Sequence, residues 1–345
     1  MKDITILSTA CGAMFMPGFF LCLRENGERK IKIIGVDMAD NPMMGKFIDS
    51  YYKVPPYYAY NYVDVLLDIC KNENVDIFFP HISMELPIIQ SRLDEFKALG
   101  IKVAITDSQT LLIANNKCKL YEHMKKQGWK TPEYYPITSS ADLREKSSKL
   151  GYPEKPVCVK IVESSGSRGV RIVRADRFRA DTFLNQKPSS LNISMDEMCK
   201  TLDECEKLPE TIVMEYLPGC EYTIDLLADH GKALYVAGRR NTESSMSIAM
   251  ASYIEKKDSA YKLCEDIVST LELDGNIGFD FMLDAHNNPV LTDLNPRITA
   301  TIILYKEGGL NLPYLRVKQL LGEKLPKVDI KYGIQMKRKY LDMFT

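Results

Sequence analysis

Two aspartates and an asparagine interrupt a pair of apolar segments near the C-terminal end of the chain, GFDFMLDAHNNPVLTDLNPR (residues 278–297). Alternate side chains of a strand share a face, so Asp280 points away from the phenylalanines on either side of it. Asp293 and Asn295 share a face because they are two residues apart. The intervening DAHNNP is a dense turn signal, and the hairpin register that pairs the apolar residues beside it places Asp280 opposite Asp293.

Opposed carboxylates on one face of a hairpin repel each other, and loss of hydration strengthens the repulsion. A pair of divalent cations removes this conflict. Two carboxylates and a carboxamide are oxygen ligands that suit Mg²⁺ or Mn²⁺, and these ions also hold substrate phosphates. The sequence therefore predicts a metal site at Asp280, Asp293 and Asn295. The alternative is that both acids end at strand edges in water, and the spacing alone does not decide between the two.

A second stretch, KIVESSGSRGVRIV (residues 160–173), combines small residues with positive charge. Small residues let successive backbone N–H groups approach a polyphosphate, and basic side chains supply the opposite charge. No GK[ST] follows, so the turn is not a Walker loop. The alternative is an ordinary flexible hairpin turn. The candidate phosphate-binding residues are Lys160, Ser165, Gly166, Ser167, Arg168 and Gly169.

The elements that must position these groups begin with short apolar runs that alternate with helical patterns. This alternation predicts a parallel sheet covered by helices on both faces, as in a Rossmann-type unit. The first turn, STACGAMFMPG, is not GxGxxG and does not by itself predict a dinucleotide site. The predicted strands are residues 4–10, 31–37, 75–80 and 101–107, and the predicted helices are 16–26, 62–74 and 84–100.

The remaining pattern predicts a helix over residues 108–128 that ends at Gly128, followed by a hairpin that marks a change to antiparallel sheet. Residues 176–210 are polar and are interpreted as a peripheral insertion with at most two helices. Further strands are predicted at residues 211–217, 220–229 and 232–241, and further helices at 259–273 and 312–325.

Length and composition bound the protein class. The chain has 345 residues, 45% of them hydrophobic and 26% charged, so it is globular and long enough for two or three packed units. A net charge of −1 gives no reason to expect nucleic acid or an anionic membrane surface. The sequence shows no signal peptide and no membrane span. Nine scattered cysteines without a CxxC pair indicate reduced thiols in a cytoplasmic protein.

Four segments, in this order, resemble the ATP-grasp superfamily, most closely single-unit relatives of the carbamoyl-phosphate synthase large chain. The segments are NNKCKLYEHMKKQG (115–128), VCVKIVESSGSRGVRIV (157–173), VMEYLPGCEYTIDLL (213–227) and GNIGFDFMLDAHNNPVLTDLNPR (275–297). The resemblance implies an α/β (α+β) chain in which a Rossmann-like parallel-sheet unit precedes two α+β subdomains that clamp a nucleotide. The implied division is 1–108 for the Rossmann-like domain, 109–213 and 214–325 for the two subdomains, and 326–345 for a C-terminal extension.

The resemblance also implies nucleotide-binding roles. Lys117 and Lys160 match basic phosphate contacts, although Lys117 could equally be a solvated helix lysine. Glu221 matches the acid that holds the ribose hydroxyls, or is an exposed strand acid. The hinge segment that meets the adenine corresponds to Met214–Leu217, with Glu215, Tyr216 and Leu217 as candidates.

Further matches concern the reaction itself. Asp280, Asp293 and Asn295 match the magnesium ligands, but Asp280 stands where glutamine or glutamate is common, which puts its direct coordination in doubt. Arg297 matches an arginine that faces the γ-phosphate and the acyl phosphate. Arg239 or Arg240 could meet a substrate carboxylate or the phosphates; only one can face the cleft, and Arg239 is preferred. The catalytic candidates are therefore Arg297, Lys160 and Arg239.

The activity implied is that of an ATP-dependent and Mg²⁺-dependent carboxylate–amine ligase for small molecules, with a carboxylate activated as an acyl phosphate. Bicarbonate activation of the carbamoyl-phosphate type and nucleotide binding without turnover are the alternatives. In the Rossmann-like unit, His81, Ser83 and Glu85 follow a strand end and are candidates for substrate contact, although Glu85 could simply begin a helix. Relatives are often dimers, so a homodimer is also an expectation.

Overall fold

A computed structural model describes residues 1–40, 45–106, 108–164, 168–175, 178–185, 191–245 and 248–339, without the side chains of 108–110, 178–179 and 181–182. The chain divides into two compact units. The first comprises Met1–Asn115, Cys220–Asp280 and Asp293–Thr345; the second comprises Asn116–Gly219 and Phe281–Thr292. The Rossmann-like part thus shares a compact unit with the C-terminal strands. The domain division given above stays a prediction. No helix within these ranges combines the length and the apolar character that crossing a membrane requires.

The first unit begins with a five-stranded parallel sheet in the order β3-β2-β1-β4-β5, which confirms the predicted parallel arrangement. Its strands are β1 (Ile4–Ser8), β2 (Ile31–Asp37), β3 (Ser50–Lys53), β4 (Ile77–Phe79) and β5 (Lys102–Val103). Its helices are α1 (Met16–Arg24), α2 (Tyr62–Asn72), α3 (Leu86–Ser91), α4 (Leu93–Ala98) and α5 (Ser108–Ala114). Strand β3 was not predicted because SYYK is short and has no buried residue.

The same unit contains a six-stranded sheet in the order β15-β14-β11-β12-β13-β16, and the tip of its β14–β15 hairpin belongs to the second unit. The strands are β11 (Glu221–Asp229), β12 (Lys232–Ser245), β13 (Ile248–Ile254), β14 (Gly275–Leu283), β15 (Pro289–Asn295) and β16 (Gln335–Lys337). The helices are α10 (Asp258–Thr270), α11 (Ile303–Glu307) and α12 (Leu312–Leu320). Strand β16, in the predicted C-terminal extension, pairs with β13 and forms an edge of this sheet.

Alternation along the parallel strands gives the first sheet two buried faces. Ile6 packs with Phe19 of α1, in a core that also takes in Leu312 of α12. Leu7, the next residue, packs on the other face with Leu66 of α2. Helices from both ends of the chain therefore bury this sheet, which explains why the N-terminal and C-terminal parts form one compact unit.

The second unit is built on a five-stranded sheet in the order β6-β10-β7-β8-β9. Its strands are β6 (Tyr134–Ile137), β7 (Val157–Ile161), β8 (Val170–Val173), β9 (Asn192–Ile193) and β10 (Thr211–Glu215). Its helices are α6 (Lys117–Lys126), α7 (Ser140–Lys149), α8 (Phe178–Asn185) and α9 (Met195–Asp203). Strands β7 and β8 pair antiparallel, so the predicted hairpin is confirmed.

The prediction of one helix over residues 108–128 is wrong, because α5 ends before α6 begins. The Asn116 side chain accepts a hydrogen bond of 3.0 Å from the Lys119 N–H and caps α6. The apolar spacing runs through this break, and the capping asparagine was the signal that should have divided it. The predicted end is confirmed: Gly128 has φ +72° and its N–H donates to the Lys125 carbonyl.

Candidate active site

The acids of the C-terminal hairpin form a hydrogen-bonded group in the first unit. Asn295 Nδ2 donates to Asp280 Oδ2 over 2.8 Å, and the Thr223 hydroxyl donates to Asp280 Oδ1 over 3.0 Å. Loss of hydration raises the pKa of Asp280 to about 6, and the neighbouring charge of Asp293 adds to the rise. The two carboxylates are therefore close enough to repel, as the metal argument from the sequence requires.

This group fits a divalent cation by its chemistry. The carboxylates of Asp280 and Asp293 and the amide oxygen of Asn295 are hard oxygen donors of the kind that Mg²⁺ prefers. The raised pKa of Asp280 marks a negative charge that the surrounding protein stabilises poorly, and a cation would stabilise it. The direct coordination by each residue stays a prediction.

Arg297 links the hairpin to the loop that follows β4. Its Nε donates to Ser83 Oγ over 2.9 Å, and its Nη2 donates to Asn295 Oδ1 over 3.2 Å. Loss of hydration lowers the pKa of Arg297, while the charges of Asp280 and Asp225 act in the opposite direction. The guanidinium thus lies beside the predicted metal ligand Asn295, and its contact with a phosphate stays a prediction.

His81 and Glu85 lie in the same loop and differ in their bonding. The His81 ring is 5% exposed and packs edge-on against Phe19, and neither ring nitrogen has a hydrogen-bond partner. Burial, with a smaller effect of Arg297, lowers the pKa of His81 to about 3, so the imidazole is neutral. Glu85, by contrast, is fully buried and bonded on both oxygens.

The Glu85 carboxylate accepts hydrogen bonds from the Thr9 and Tyr62 hydroxyls, over 2.6 and 2.5 Å, and from the backbone N–H groups of His81 and Ile82. These bonds tie the end of β1, the start of α2 and the loop after β4 together. Glu85 also directly precedes α3, as the alternative interpretation held. Its carboxylate is occupied within the fold, so Glu85 positions the loop that carries His81 and Ser83.

Strand β11 presents a polar face that the sequence analysis read only in part. Glu221 is exposed and accepts from the Ser244 hydroxyl over 2.7 Å, whereas Thr223 and Asp225 are buried. These three polar residues alternate with apolar residues along β11. The period of two that identified Asp280 would have identified Thr223 and Asp225 as well.

The neighbouring arginines of β12 point in opposite directions, as expected for a strand. Arg239 is buried, forms an ion pair with Asp225 and donates to the Tyr305 hydroxyl over 3.0 Å. Arg240 bonds Glu255 instead, over 2.9 Å. Arg239 is therefore the arginine on the side of Asp280, and its contact with a substrate stays a prediction.

In the second unit, Lys117 lies beside the start of the glycine turn. It is the first residue of α6 and is 8% exposed, and its Nζ donates to the Val162 and Ser164 carbonyls over 3.2 and 3.5 Å. The solvated helix lysine of the alternative interpretation is thus not what the structure shows. Lys160 is half-buried on β7, opposite Val170 of β8.

The ends of the glycine turn are described, and its centre is not. Gly169 has φ +69°, and a Cβ there would approach the Ile161 side chain to 2.4 Å, so only glycine fits. Arg168 is exposed. The candidates Ser165, Gly166 and Ser167 lie outside the described residues.

The predicted hinge begins at the end of β10. Glu215 is fixed by Glu133: its N–H donates to the Glu133 carbonyl over 2.9 Å, and its side chain accepts from the Glu133 N–H over 3.0 Å. Tyr216 is half-buried and Leu217 is buried. Adenine binding by this segment stays a prediction.

Besides the hairpin acids, another group of potential metal ligands lies in the first unit. Asp229, His230 and Asp274 bring one ligand atom each within 4.8 Å of the others. His230 bonds Asp229 over 3.0 Å, and Arg316 pairs with Asp274 over 2.8 Å. These ion pairs explain the proximity of the three groups without a cation.

Two family models match the chain in separate parts. "PylC-like, N-terminal domain" matches residues 19–104, and "ATP-grasp in the biosynthetic pathway with Ter operon" matches residues 207–340, which include the hairpin acids and Arg297. The carbamoyl phosphate synthase large chain of Clostridium acetobutylicum is 22% identical over 293 residues, or 82% of this chain. Residues 207–340 of this chain are thus similar to an ATP-grasp family. The whole chain spans 25% of the length of that relative.

Solved structures agree with the ATP-grasp fold. An N5-carboxyaminoimidazole ribonucleotide synthetase in complex with ADP superimposes with a TM-score of 0.67 at 17% identity, covering 95% of this chain and 79% of the synthetase chain. The biotin carboxylase domain of the Hydrogenobacter thermophilus 2-oxoglutarate carboxylase, with MgADP and bicarbonate, gives 0.69 at 14% identity over 97% and 74%. An L-amino acid ligase from Bacillus licheniformis gives 0.63 at 18% identity over 93% and 74%.

Proposed function

We propose that this protein is an ATP-dependent ligase that activates a small carboxylate as an acyl phosphate and joins it to an amine. The observation that carries the proposal is the group formed by Asp280, Asp293, Asn295 and Arg297. It combines two repelling carboxylates with a half-buried guanidinium. Such a group can offset the negative charge that gathers where a substrate carboxylate approaches a triphosphate, through a bound cation and through the guanidinium.

The nucleotide is ATP and the cation is Mg²⁺ in this proposal, because the similar structures include complexes with ADP and MgADP. Asp280, Asp293 and Asn295 would hold Mg²⁺, which would neutralise phosphate charge. Mn²⁺ has the same preference for oxygen ligands and is the substitute to test.

In the first step, a substrate carboxylate oxygen attacks the γ-phosphorus, an O–P bond forms, and the bond to the β-phosphate oxygen breaks to release ADP. Arg297 orients the carboxylate and stabilises charge on the acyl phosphate. Lys117 and Lys160 hold the phosphates. In the second step, the amine nitrogen attacks the acyl carbon and loses a proton as the C–O bond to phosphate breaks.

Activation of bicarbonate is a second candidate. Two observations favour it: the similarity to carbamoyl phosphate synthase large chains, and the bicarbonate in the similar biotin carboxylase structure. Both candidates use the same ATP and metal groups and differ in the acid that is phosphorylated.

Incubation of the full chain with ATP and Mg²⁺ separates these possibilities. Phosphate release that depends on pooled amino acids or other small carboxylates supports the ligase, and the amide product is identified by mass spectrometry. Release that depends on bicarbonate alone supports the second candidate. Nucleotide binding without release under either condition contradicts both.

A further inference from the structure

The order of the parallel sheet creates a crevice in the first unit. Strand order reverses between β1 and β4, and in open α/β sheets ligands bind at the carboxyl ends of the strands at this reversal. The crevice lies between the turn after β1, residues 9–15, and the turn after β4, residues 80–85. Hydrogen bonds from the Thr9 hydroxyl to Glu85, and from the His81 N–H to Thr9 Oγ1, hold the two turns side by side.

These two turns carry no cation. Their sequences are TACGAMF and PHISME, and the one charged residue, Glu85, is buried and bonded within the fold. No side chain of either turn therefore carries a positive charge that would pair with a second carboxylate or a phosphate. A charged ligand group that lies between them would find no counter-charge on these side chains, which favours an uncharged group.

The turns do offer apolar surface. Met14 is 63% exposed and Met84 is 38% exposed, one on each side of the crevice. Methionine side chains are flexible and polarizable and adapt to apolar ligands, so these two can cover an apolar group bound between the turns.

The polar features of the crevice are His81 and Arg297. The buried His81 ring offers one donor and one acceptor nitrogen, and both lack partners in the fold. Arg297 reaches the same loop through Ser83 and also contacts Asn295 of the predicted metal site. A ligand carboxylate at Arg297 would thus have the neutral His81 ring beside it and the side chains of Met14 and Met84 farther away.

We propose that the crevice binds the acid that is activated, and that this acid has an uncharged apolar side group and a hydrogen-bond donor next to its carboxylate, as neutral apolar α-amino acids have. The carboxylate meets Arg297, the donor bonds the acceptor nitrogen of His81, and the side group lies against Met14 and Met84. This inference rests on the proposed function, whose substrate class it names.

The test measures binding rather than turnover. The full chain, with Mg²⁺ and a non-hydrolysable ATP analogue, is mixed with leucine, methionine, norleucine, glutamate, lysine and O-phosphoserine, and saturation-transfer NMR identifies the bound members. Met84→Asp places a charge in the crevice. Leu99→Asp is the matched control, because Leu99 is also exposed but precedes β5, at the amino ends of the strands, whereas the crevice lies at their carboxyl ends.

The three apolar amino acids are expected to bind. Met84→Asp is expected to lower the affinity for each of them about tenfold, because one apolar contact is lost. Leu99→Asp should leave these affinities unchanged. His81→Phe should lower the affinity for leucine, while the NMR spectrum remains that of a folded protein. Preferential binding of glutamate, lysine or O-phosphoserine, absence of binding by all apolar members, or equal effects of Met84→Asp and Leu99→Asp would each overturn the inference. Apolar binding without any ATP-dependent product would overturn the proposed ligase activity instead.

Discussion

Replacing Asp280 with asparagine should stabilise the metal-free protein at high pH. The pKa of Asp280 is raised from 3.8 to about 6, chiefly by loss of hydration and then by Asp293. A folded-state pKa above the unfolded value means that ionisation opposes folding. The resulting penalty is absent below the unfolded pKa and grows as the pH rises through about 6.

The magnitude follows from the shift. A folded-state pKa that lies about two pH units above the unfolded-state pKa corresponds to about 3 kcal/mol in the free energy of unfolding once the carboxyl is ionised. Asparagine removes the charge but presents an NH₂ group to one of the two donors, Thr223 and Asn295, which costs about 1 kcal/mol. Asp280→Asn should therefore be about 2 kcal/mol more stable than the wild type at pH 8 in EDTA.

Urea unfolding in EDTA at pH 4 and pH 8 measures this difference, with Asp94→Asn at an exposed position as the control. At pH 4 the sign should reverse, because the wild-type carboxyl is protonated and only the lost hydrogen bond remains. Saturating Mg²⁺ should stabilise the wild type more than the variant. A variant that is less stable at both pH values, or a difference that does not change with pH, would refute the reasoning.

Two further predictions concern Lys160 and Glu85. Lys160→Ala should weaken binding of an ATP analogue by about ten- to a hundredfold in calorimetry, because one charge-assisted contact is lost. Lys119→Ala, on the exposed face of α6, should leave the affinity unchanged. Equal affinities for both variants would contradict the assignment of Lys160 to a phosphate. Glu85→Ala should lower the free energy of unfolding by about 3 kcal/mol or more, because buried hydroxyl and N–H donors lose their acceptor. A loss below about 1 kcal/mol in urea unfolding would mean that Glu85 does not hold the loop as described.

The sequence predicted much of the fold because the buried strands carry strong local signals. Strand β2 has the predicted bounds, and the pairing of β7 with β8 follows from the turn between them. The break between α5 and α6 was missed because apolar spacing continues through a capping asparagine. The grouping into units could not be predicted, since packing of α12 under the N-terminal sheet depends on contacts distant in sequence.

The sequence predicted those site residues that lie close together along the chain, on the two strands of one hairpin. Asp280, Asn295 and Arg297 lie together, as the hairpin pattern indicated. The ion pair of Arg239 with Asp225 was missed because it runs diagonally across the hairpin: Thr223, and not Asp225, lies directly opposite Arg239. The use of Glu85 within the fold depends on Thr9 and Tyr62, which lie 76 and 23 residues away in the chain.

The most direct test of the metal and nucleotide site is calorimetric titration of a non-hydrolysable ATP analogue into the full chain, with Mg²⁺ and with EDTA. The wild type should bind tightly only with Mg²⁺, and Asp293→Asn should lose that dependence while its far-ultraviolet circular dichroism stays that of the wild type. Equal affinity in Mg²⁺ and EDTA, or Mg²⁺-dependent binding that survives in Asp293→Asn, would contradict the assignment of the hairpin acids to a metal that carries the nucleotide.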